Sequence, residues 1–182
     1  MAYMFGFWCA DGCIYNNKMF DITVSKKDKY IIKKFAEELG YEGPLYDSVD
    51  RQASRINFSC KIIYDDIVSL GGRENKSLTL KFPNIPQEYL SDFIRGYFDG
   101  DGCVMNLKGG RINSAFTSGS KQFLDQLLLI LRKEAGVEGG SYDASSKSLR
   151  FGKKDSIKIG KYIYQNNPEL FLMRKKEKFI FI

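Results

Sequence analysis

An internal repeat with a spacing of ninety residues constrains this chain more than any other feature. The segment FGFWCADGC at residues 5–13 is similar to RGYFDGDGC at residues 95–103. GYEG at residues 40–43 is likewise similar to GVEG at residues 136–139, and a Tyr-Asp pair follows each. Because each copy is small, we expect the two to share an interface. The boundaries we predict are 1–71 for the first repeat, 72–86 for a linker, and 87–182 for the second repeat with a C-terminal tail.

The order of predicted elements is the same in both copies. A short apolar helix ends at Asp11 or Asp101, two strands follow, and then comes an amphipathic helix that Gly40 or Gly136 terminates. Two more strands and a final helix complete each copy. This predicts an α/β (α+β) fold of two pseudo-twofold-related αββαββα repeats. The predicted strands are 13–16, 20–25, 45–49 and 55–60, then 103–107, 111–117, 141–143 and 148–152; the later helices are 26–39, 62–70, 121–135 and 156–164.

Composition narrows the function. The hydrophobic fraction of 43% is enough for a core, and no apolar run approaches the roughly 18 residues of a membrane span. The first residues lack the basic region of a secretory signal, so we expect a cytoplasmic protein, or an organellar one in a eukaryotic host. A net charge of +6 favours a nucleic-acid partner. The sequence contains no histidine, which excludes histidine-dependent nuclease, zinc and triad chemistry and leaves carboxylates, lysines and oxygen-ligated metal.

The two apolar helices carry small residues four positions apart, which places them on one helix face. Small residues allow two helix backbones to approach closely. If the helices pair through these faces, Asp11 and Asp101 arrive side by side. Adjacent carboxylates repel each other, and Mg²⁺ bound by oxygen ligands would remove that cost and support phosphodiester hydrolysis. The small residues are Gly6 and Ala10 in the first helix and Gly96 and Gly100 in the second.

At these residues the chain resembles the LAGLIDADG homing endonucleases. IRGYFDGDG at residues 94–102 is similar to the nine-residue signature, and MFGFWCADG at residues 4–12 is a looser copy. The resemblance covers nearly the whole chain, because the repeat order matches as well. It implies paired motif helices at the interface, a saddle of antiparallel β-sheets, and a monomer that cleaves both strands of a long, nearly asymmetric double-stranded DNA target with Mg²⁺. Mn²⁺ or Ca²⁺ would substitute in binding.

The resemblance also implies site residues. The metal ligands would be Asp11 and Asp101, with the carbonyls of Ala10 and Gly100 as further ligands. The first copy has Cys9 where the second has Asp99, at a position that the resemblance makes structural.

A lysine near the metals, from the end of the last strand of each copy, is implied in the same way. Strand alternation selects Lys61 and Lys154 for this role, with Lys153 as the second choice. Such a lysine would polarise the attacking water or balance phosphate charge.

Alternation also predicts one polar face on each sheet, which suits β-ribbons that contact base edges in the major groove. Polar residues of that face and of the adjoining loops are the predicted DNA contacts: Tyr15, Asn16, Lys18, Asp21, Thr23, Ser25, Arg51, Gln52, Arg55, Asn57, Ser59, Lys108, Arg111, Asn113, Lys147 and Arg150.

Two other functions stay open on the same fold, an RNA maturase that assists intron splicing and a non-catalytic DNA-binding protein. The presence of both Asp11 and Asp101 favours cleavage, with intron RNA left open as a second partner. A protein-splicing element is disfavoured because the chain has no His-Asn ending. We therefore expect a free-standing, intron-encoded endonuclease.

Overall fold

A computed structural model describes residues 1–107 and 111–179 of the chain. Each repeat contains a motif helix, a four-stranded antiparallel sheet and two further helices. The first repeat contains α1 (Ala2–Asp11), β1 (Gly12–Tyr15), β2 (Met19–Ser25), α2 (Lys29–Glu38), β3 (Tyr46–Ser48), β4 (Ala53–Ser59) and α3 (Lys61–Ser69). The second contains α4 (Leu90–Asp101), β5 (Gly102–Leu107), β6 (Arg111–Thr117), α5 (Lys121–Ala135), β7 (Ser141–Asp143), β8 (Ser148–Phe151) and α6 (Lys153–Ile163). A short helix, α7 (Met173–Lys176), lies in the tail.

The two sheets have the same topology. Their strand orders are β1-β2-β4-β3 and β5-β6-β8-β7, and every neighbouring pair is antiparallel. One face of each sheet packs on helices: Ile22 and Ile56, which pair across β2 and β4, are fully buried. The opposite face carries polar side chains, as the alternation predicted. This two-repeat α/β architecture confirms the predicted fold class.

The glycines expected to end the amphipathic helices do so. Gly136 follows α5 with a φ of 65°, and Gly40 lies just beyond α2 with a φ of 60°. Such left-handed backbone is readily adopted by glycine and closes the last helical turn. At the other end of α5, the Ser120 hydroxyl accepts a hydrogen bond from the Phe123 N–H and caps the helix.

The pairing of α1 with α4 joins the two repeats, and glycine makes it possible. A Cβ atom on Gly6 would lie 2.0 Å from the Phe93 carbonyl oxygen, and one on Gly96 would lie 1.9 Å from the Tyr3 carbonyl oxygen. No real side chain fits at those distances, so the backbones are in direct contact. The predicted close approach through small residues is therefore confirmed.

Several predicted boundaries differ from the observed ones, and those at the start of the two final helices affect candidate site residues. The final helices begin at Lys61 and Lys153, earlier than the predicted residues 62 and 156, and the preceding strands end at Ser59 and Phe151. Cys60 and Gly152 are extended and act as N-caps. Consequently Lys61, Lys153 and Lys154 belong to the first turns of helices, where strand alternation does not decide their direction.

The linker and the tail both return to the motif helices. Leu80 of the linker and Leu172 of the tail are buried in the common core. Phe179 packs against Phe98 of α4, with ring centroids 5.7 Å apart. Within the described parts of the chain, no helix is long and apolar enough to cross a membrane.

Candidate active site

The pairing of α1 with α4 brings Asp11 and Asp101 together at the C-terminal ends of the two helices. A Cβ atom on Gly100 of α4 would lie 3.3 Å from the Asp11 carboxylate, so Asp11 reaches across to the other helix. The Asp11 residue is exposed. Its carboxylate is nevertheless partly buried against the helix pair, and this burial is the main reason why its pKa is raised to about 6. The negative charge of Asp101 is the second reason. Burial also raises the pKa of Asp101. The site therefore concentrates negative charge that a cation would stabilise.

Two buried lysines that the sequence analysis did not select lie at the same helix ends. The ammonium group of Lys175 donates to three carbonyl oxygens near the end of α4, those of Phe98 (2.8 Å), Asp99 (2.5 Å) and Gly100 (3.0 Å). In the first repeat, Lys76 donates to the Gly12 carbonyl at the end of α1. Each repeat thus contributes one lysine from the segment that follows its final helix.

The aromatic residues of the motif helices cover these lysines. Lys76 Nζ lies 4.6 Å from the Trp8 ring centroid, and Lys175 Nζ lies 5.7 Å from that of Phe98. Burial lowers the pKa of Lys175 to about 8 and also lowers that of Lys76. The charges of these two lysines lower the pKa of Asp101 and partly offset its burial.

The lysines chosen from the sequence have other partners. Lys61 is exposed and pairs with Asp65 on the next turn of α3. Lys154 is exposed and pairs with Glu138 at 3.3 Å, while Lys153 is exposed on the first turn of α6. Participation of these three lysines at the metals stays a prediction. The basic groups that the structure brings to the acids are instead Lys76 and Lys175.

Asp99 is a buried carboxylate that connects three parts of the molecule. It accepts hydrogen bonds from the Tyr3 hydroxyl of α1 (2.8 Å), the Tyr164 hydroxyl after α6 (3.3 Å) and the Leu172 N–H of the tail (2.7 Å). Burial raises its pKa to about 6. Cys9, at the equivalent position of α1, is buried without these partners. The second copy therefore differs from the first in having a carboxylate at this position, and this carboxylate anchors the tail on the second repeat.

The two carboxylates are suitable ligands for a divalent cation. Among the residues that the structure describes, no group of three or more cysteine, aspartate or glutamate side chains could hold a metal. Mg²⁺ does not need one, since it commonly binds through one or two carboxylates, retains several waters and takes further ligands from substrate phosphates. The Gly100 carbonyl, a predicted ligand, accepts from Lys175 and retains a second lone pair.

Most of the predicted DNA contacts lie on the polar sheet faces or in the adjoining turns. Those that are exposed on strands are Thr23, Ser25, Arg55, Ser59, Arg111 and Arg150; those exposed in turns are Asn16, Lys18, Arg51, Gln52 and Lys147; Tyr15, Asn57 and Asn113 are half-buried. Lys108 is outside the described residues.

Asp21 requires a correction. It lies on the polar side of β2 as predicted, but it is only 5% exposed, because Arg55 and Asn57 of β4 donate to its carboxylate and cover it. Asp21 is therefore a support for its neighbours and not a free contact group.

Comparison with known proteins gives a partial family match and short matches within large proteins. Residues 88–152 match the family model of the LAGLIDADG-like domain. The chain is 28% identical over 138 residues to the DNA-directed RNA polymerase subunit Rpo1C of Methanocaldococcus jannaschii, a match that covers 72% of this chain and 15% of that protein. A probable translation initiation factor IF-2 of the same organism is 46% identical over 66 residues, or 34% of this chain and 6% of that protein. The chain thus spans a small part of the curated relatives it matches.

Solved structures match the chain over almost its whole length. The homing endonuclease I-WcaI bound to its DNA recognition sequence has a TM-score of 0.70 and 17% identity, and the match covers 100% of this chain and 85% of that one. The I-LtrWI LAGLIDADG homing endonuclease bound to target DNA has a TM-score of 0.61 and 13% identity, covering 97% and 86%. At such identities the likeness concerns the fold. The chain therefore has the two-repeat fold of the single-chain LAGLIDADG homing endonucleases, and its second repeat contains a LAGLIDADG-like domain.

Proposed function

We propose that this chain is a site-specific DNA endonuclease that hydrolyses both strands of a long, nearly asymmetric duplex with divalent metal. The observation that carries the proposal is the placement of Asp11 and Asp101 side by side at the ends of the paired motif helices. The matched structures of I-WcaI and I-LtrWI with DNA support a duplex as the ligand of this fold. The net charge of +6 agrees with a polyanionic partner.

Within this proposal, Asp11 and Asp101 hold the divalent metal, for which we propose Mg²⁺. The metal would supply an activated water and neutralise charge on the scissile phosphates. Lys175 fixes the helix end that carries Asp101 through its three carbonyl contacts, and Lys76 does the same for α1. Both lysines also place positive charge beside the carboxylates, where the anionic transition state would need it.

The two sheets would bind the two halves of the DNA site, and the differences between them would suit an asymmetric target. β1 has four residues and β5 has six, so the hairpins reach to different extents. The central strands also carry different side chains: Asp21 of β2 corresponds to Asn113 of β6 when the strands are aligned at their C-terminal ends. Because both motif helices belong to one polypeptide, we propose that a monomer performs the reaction.

The distribution of similar sequences supports a mobile element. The matching segments lie in an RNA polymerase subunit, an initiation factor and an elongation factor, whose names describe different tasks in transcription and translation. In the polymerase subunit and one initiation factor the matches make up 15% and 6% of the protein. A segment that recurs in this way is expected of inserted elements that spread by cleaving DNA. Cleavage of a specific site by this chain would be consistent with such spread.

The test begins with selection of cleaved sequences from a randomised duplex library in Mg²⁺. On the selected duplex, Asp11→Asn and Asp101→Asn should each lower the cleavage rate by at least about 100-fold, because a neutral amide no longer provides the charge that holds the metal. Duplex affinity, measured by gel shift without metal, should be retained, since recognition lies on the strands.

Asp65→Asn is the matched control, because Asp65 is exposed and pairs only with Lys61 among the charged residues described. It should cleave like the unmodified chain. Full cleavage by Asp101→Asn would refute the proposed mechanism. Specific binding by the unmodified chain without cleavage in any divalent metal would instead indicate a non-catalytic DNA-binding protein, and selection of RNA over duplex DNA would indicate a maturase.

A further inference from the structure

Asp21 is an unusual residue for a DNA-facing sheet, because it is a buried carboxylate at the centre of that face. β2 and β4 are the inner strands of the first sheet, and Asp21 pairs with Asn57 across them. The Asn57 amide donates to the Asp21 carboxylate at 2.8 Å, and Arg55 donates to the same carboxylate. The Thr23 hydroxyl also donates to this carboxylate, at 3.4 Å. A buried charge that meets three donors is fixed, and it fixes them in turn.

The guanidinium of Arg55 is held on one edge and open on the other. Its Nε and Nη2 atoms contact Asp21, and Nη2 also donates to the Tyr15 hydroxyl at 3.4 Å. No partner of Nη1 occurs within residues 1–107 and 111–179. The side chain remains 45% exposed. It borders a depression of about 450 Å³ on the sheet surface, together with Thr23 and Tyr46, its neighbours in register on the flanking strands. Arg55 therefore presents donors from a fixed position on the floor of this face.

The corresponding arginine of the second repeat is held differently. Arg150 of β8 donates to the hydroxyls of Ser148 (3.2 Å) and Ser146 (3.1 Å), and it pairs with Asp143 at 2.8 Å. These partners lie at the turn between β7 and β8, whereas Asp21 lies on a central strand. Asn113, which corresponds to Asp21 when β6 is aligned with β2, has an amide and no carboxylate. The fixed arginine on a buried carboxylate is thus specific to the first repeat.

We propose that Arg55 recognises a guanine in the half of the DNA site bound by the first repeat, and that Asp21 is the residue that positions it. This inference rests on the proposed function. Guanine presents two acceptors, O6 and N7, in the major groove, and the paired donors of an arginine match them. An arginine already held in place loses less side-chain entropy on binding, and its planar fork favours a bidentate contact.

A side chain that only binds a phosphate is expected to differ from Arg55 in its charge balance and its position. Contacts from charged side chains to phosphates draw their affinity from positive charge, and they fix the register of the protein without carrying sequence information. The charge of Arg55 is instead largely balanced by Asp21, and Arg55 lies on β4, one of the two inner strands. Both features reduce the contribution of Arg55 to non-specific DNA affinity and favour recognition of one base pair.

The experiment compares sequence profiles of cleavage on randomised duplex libraries. The variants are Arg55→Ala, Arg55→Lys and Asp21→Asn, with Arg132→Ala on the exposed surface of α5 as the matched arginine control. The unmodified chain should prefer guanine at one base pair to one side of the cleaved bonds. Arg55→Ala should lower that preference by about 10- to 100-fold and leave other positions unchanged. Arg55→Lys should also lower it, since lysine lacks the planar fork.

Asp21→Asn should weaken the guanine preference at the same base pair, and Arg150→Ala should alter the profile only on the opposite side of the cleaved bonds. Circular dichroism melting checks that each variant is folded; if Asp21→Asn does not fold, the two Arg55 variants still decide the result. A uniform loss of affinity in Arg55→Ala, or an unchanged profile, would overturn the inference. Failure of the unmodified chain to select any sequence would refute the proposed function, and the inference with it.

Discussion

Substitution of Gly96 by alanine tests whether direct backbone contact between α1 and α4 holds the two repeats together. The added Cβ would lie 1.9 Å from the Tyr3 carbonyl oxygen and 2.8 Å from the Phe7 nitrogen, both backbone atoms that no rotamer change can move. Favourable contact distances are roughly 3.5 Å, so the helices must separate by more than about 1 Å. Overpacking of a core costs about 1–3 kcal/mol, and a clash with backbone belongs at the upper end.

The higher helix propensity of alanine opposes this cost with about 1 kcal/mol, so the net loss in the free energy of unfolding should be about 2 kcal/mol. For a chain of this length that lowers Tm by roughly 4–8 °C, measured by circular dichroism. Gly152→Ala is the control, because its Cβ meets nothing within 4 Å and its φ of −77° suits alanine. Below its Tm, Gly96→Ala should also cleave more slowly, since the separation moves Asp11 from Asp101. A melting temperature equal to that of the unmodified chain would refute direct contact.

Three further predictions concern the site and the DNA-facing surface. Lys76→Met and Lys175→Met should each lower the cleavage rate by more than about 10-fold while the protein is folded. Lys61→Met tests the assignment made from strand alternation, and an equal loss in that variant would support it. Bound duplex should protect the exposed thiols of Cys13 and Cys103, which follow the two Asp-Gly pairs, from alkylation measured by mass spectrometry, and labelling of the half-buried Cys60 serves as the internal comparison. Unchanged labelling would place the DNA elsewhere. The logarithm of duplex affinity should fall steeply and linearly with the logarithm of salt concentration, by about 0.9 for each phosphate contacted, and a flat dependence would argue against a duplex partner.

The local pattern of the sequence was sufficient to predict the architecture. The ninety-residue repeat, the alternation of the strands and the terminating glycines predicted two equivalent units with their elements in the observed order. Small residues four apart predicted the helix pairing that Gly6 and Gly96 make, and with it the meeting of Asp11 and Asp101. These features can be predicted from the sequence because each follows from the geometry of a single helix or strand. Side chains on one face recur with the period of that element.

The remaining features of the site depended on the tertiary structure. Lys76 is 64 residues from the Gly12 carbonyl it contacts, and Lys175 is 77 residues from that of Phe98. The alternation of its own strand predicts that Asp21 is an exposed polar residue. It is buried only because Arg55 of another strand covers it. Whether a charged side chain is buried depends on groups that surround it from distant parts of the chain. The local periodicity of the sequence gives no information about those groups. A linker lysine and a surface lysine look alike in sequence, and only the packing of the whole fold distinguishes them.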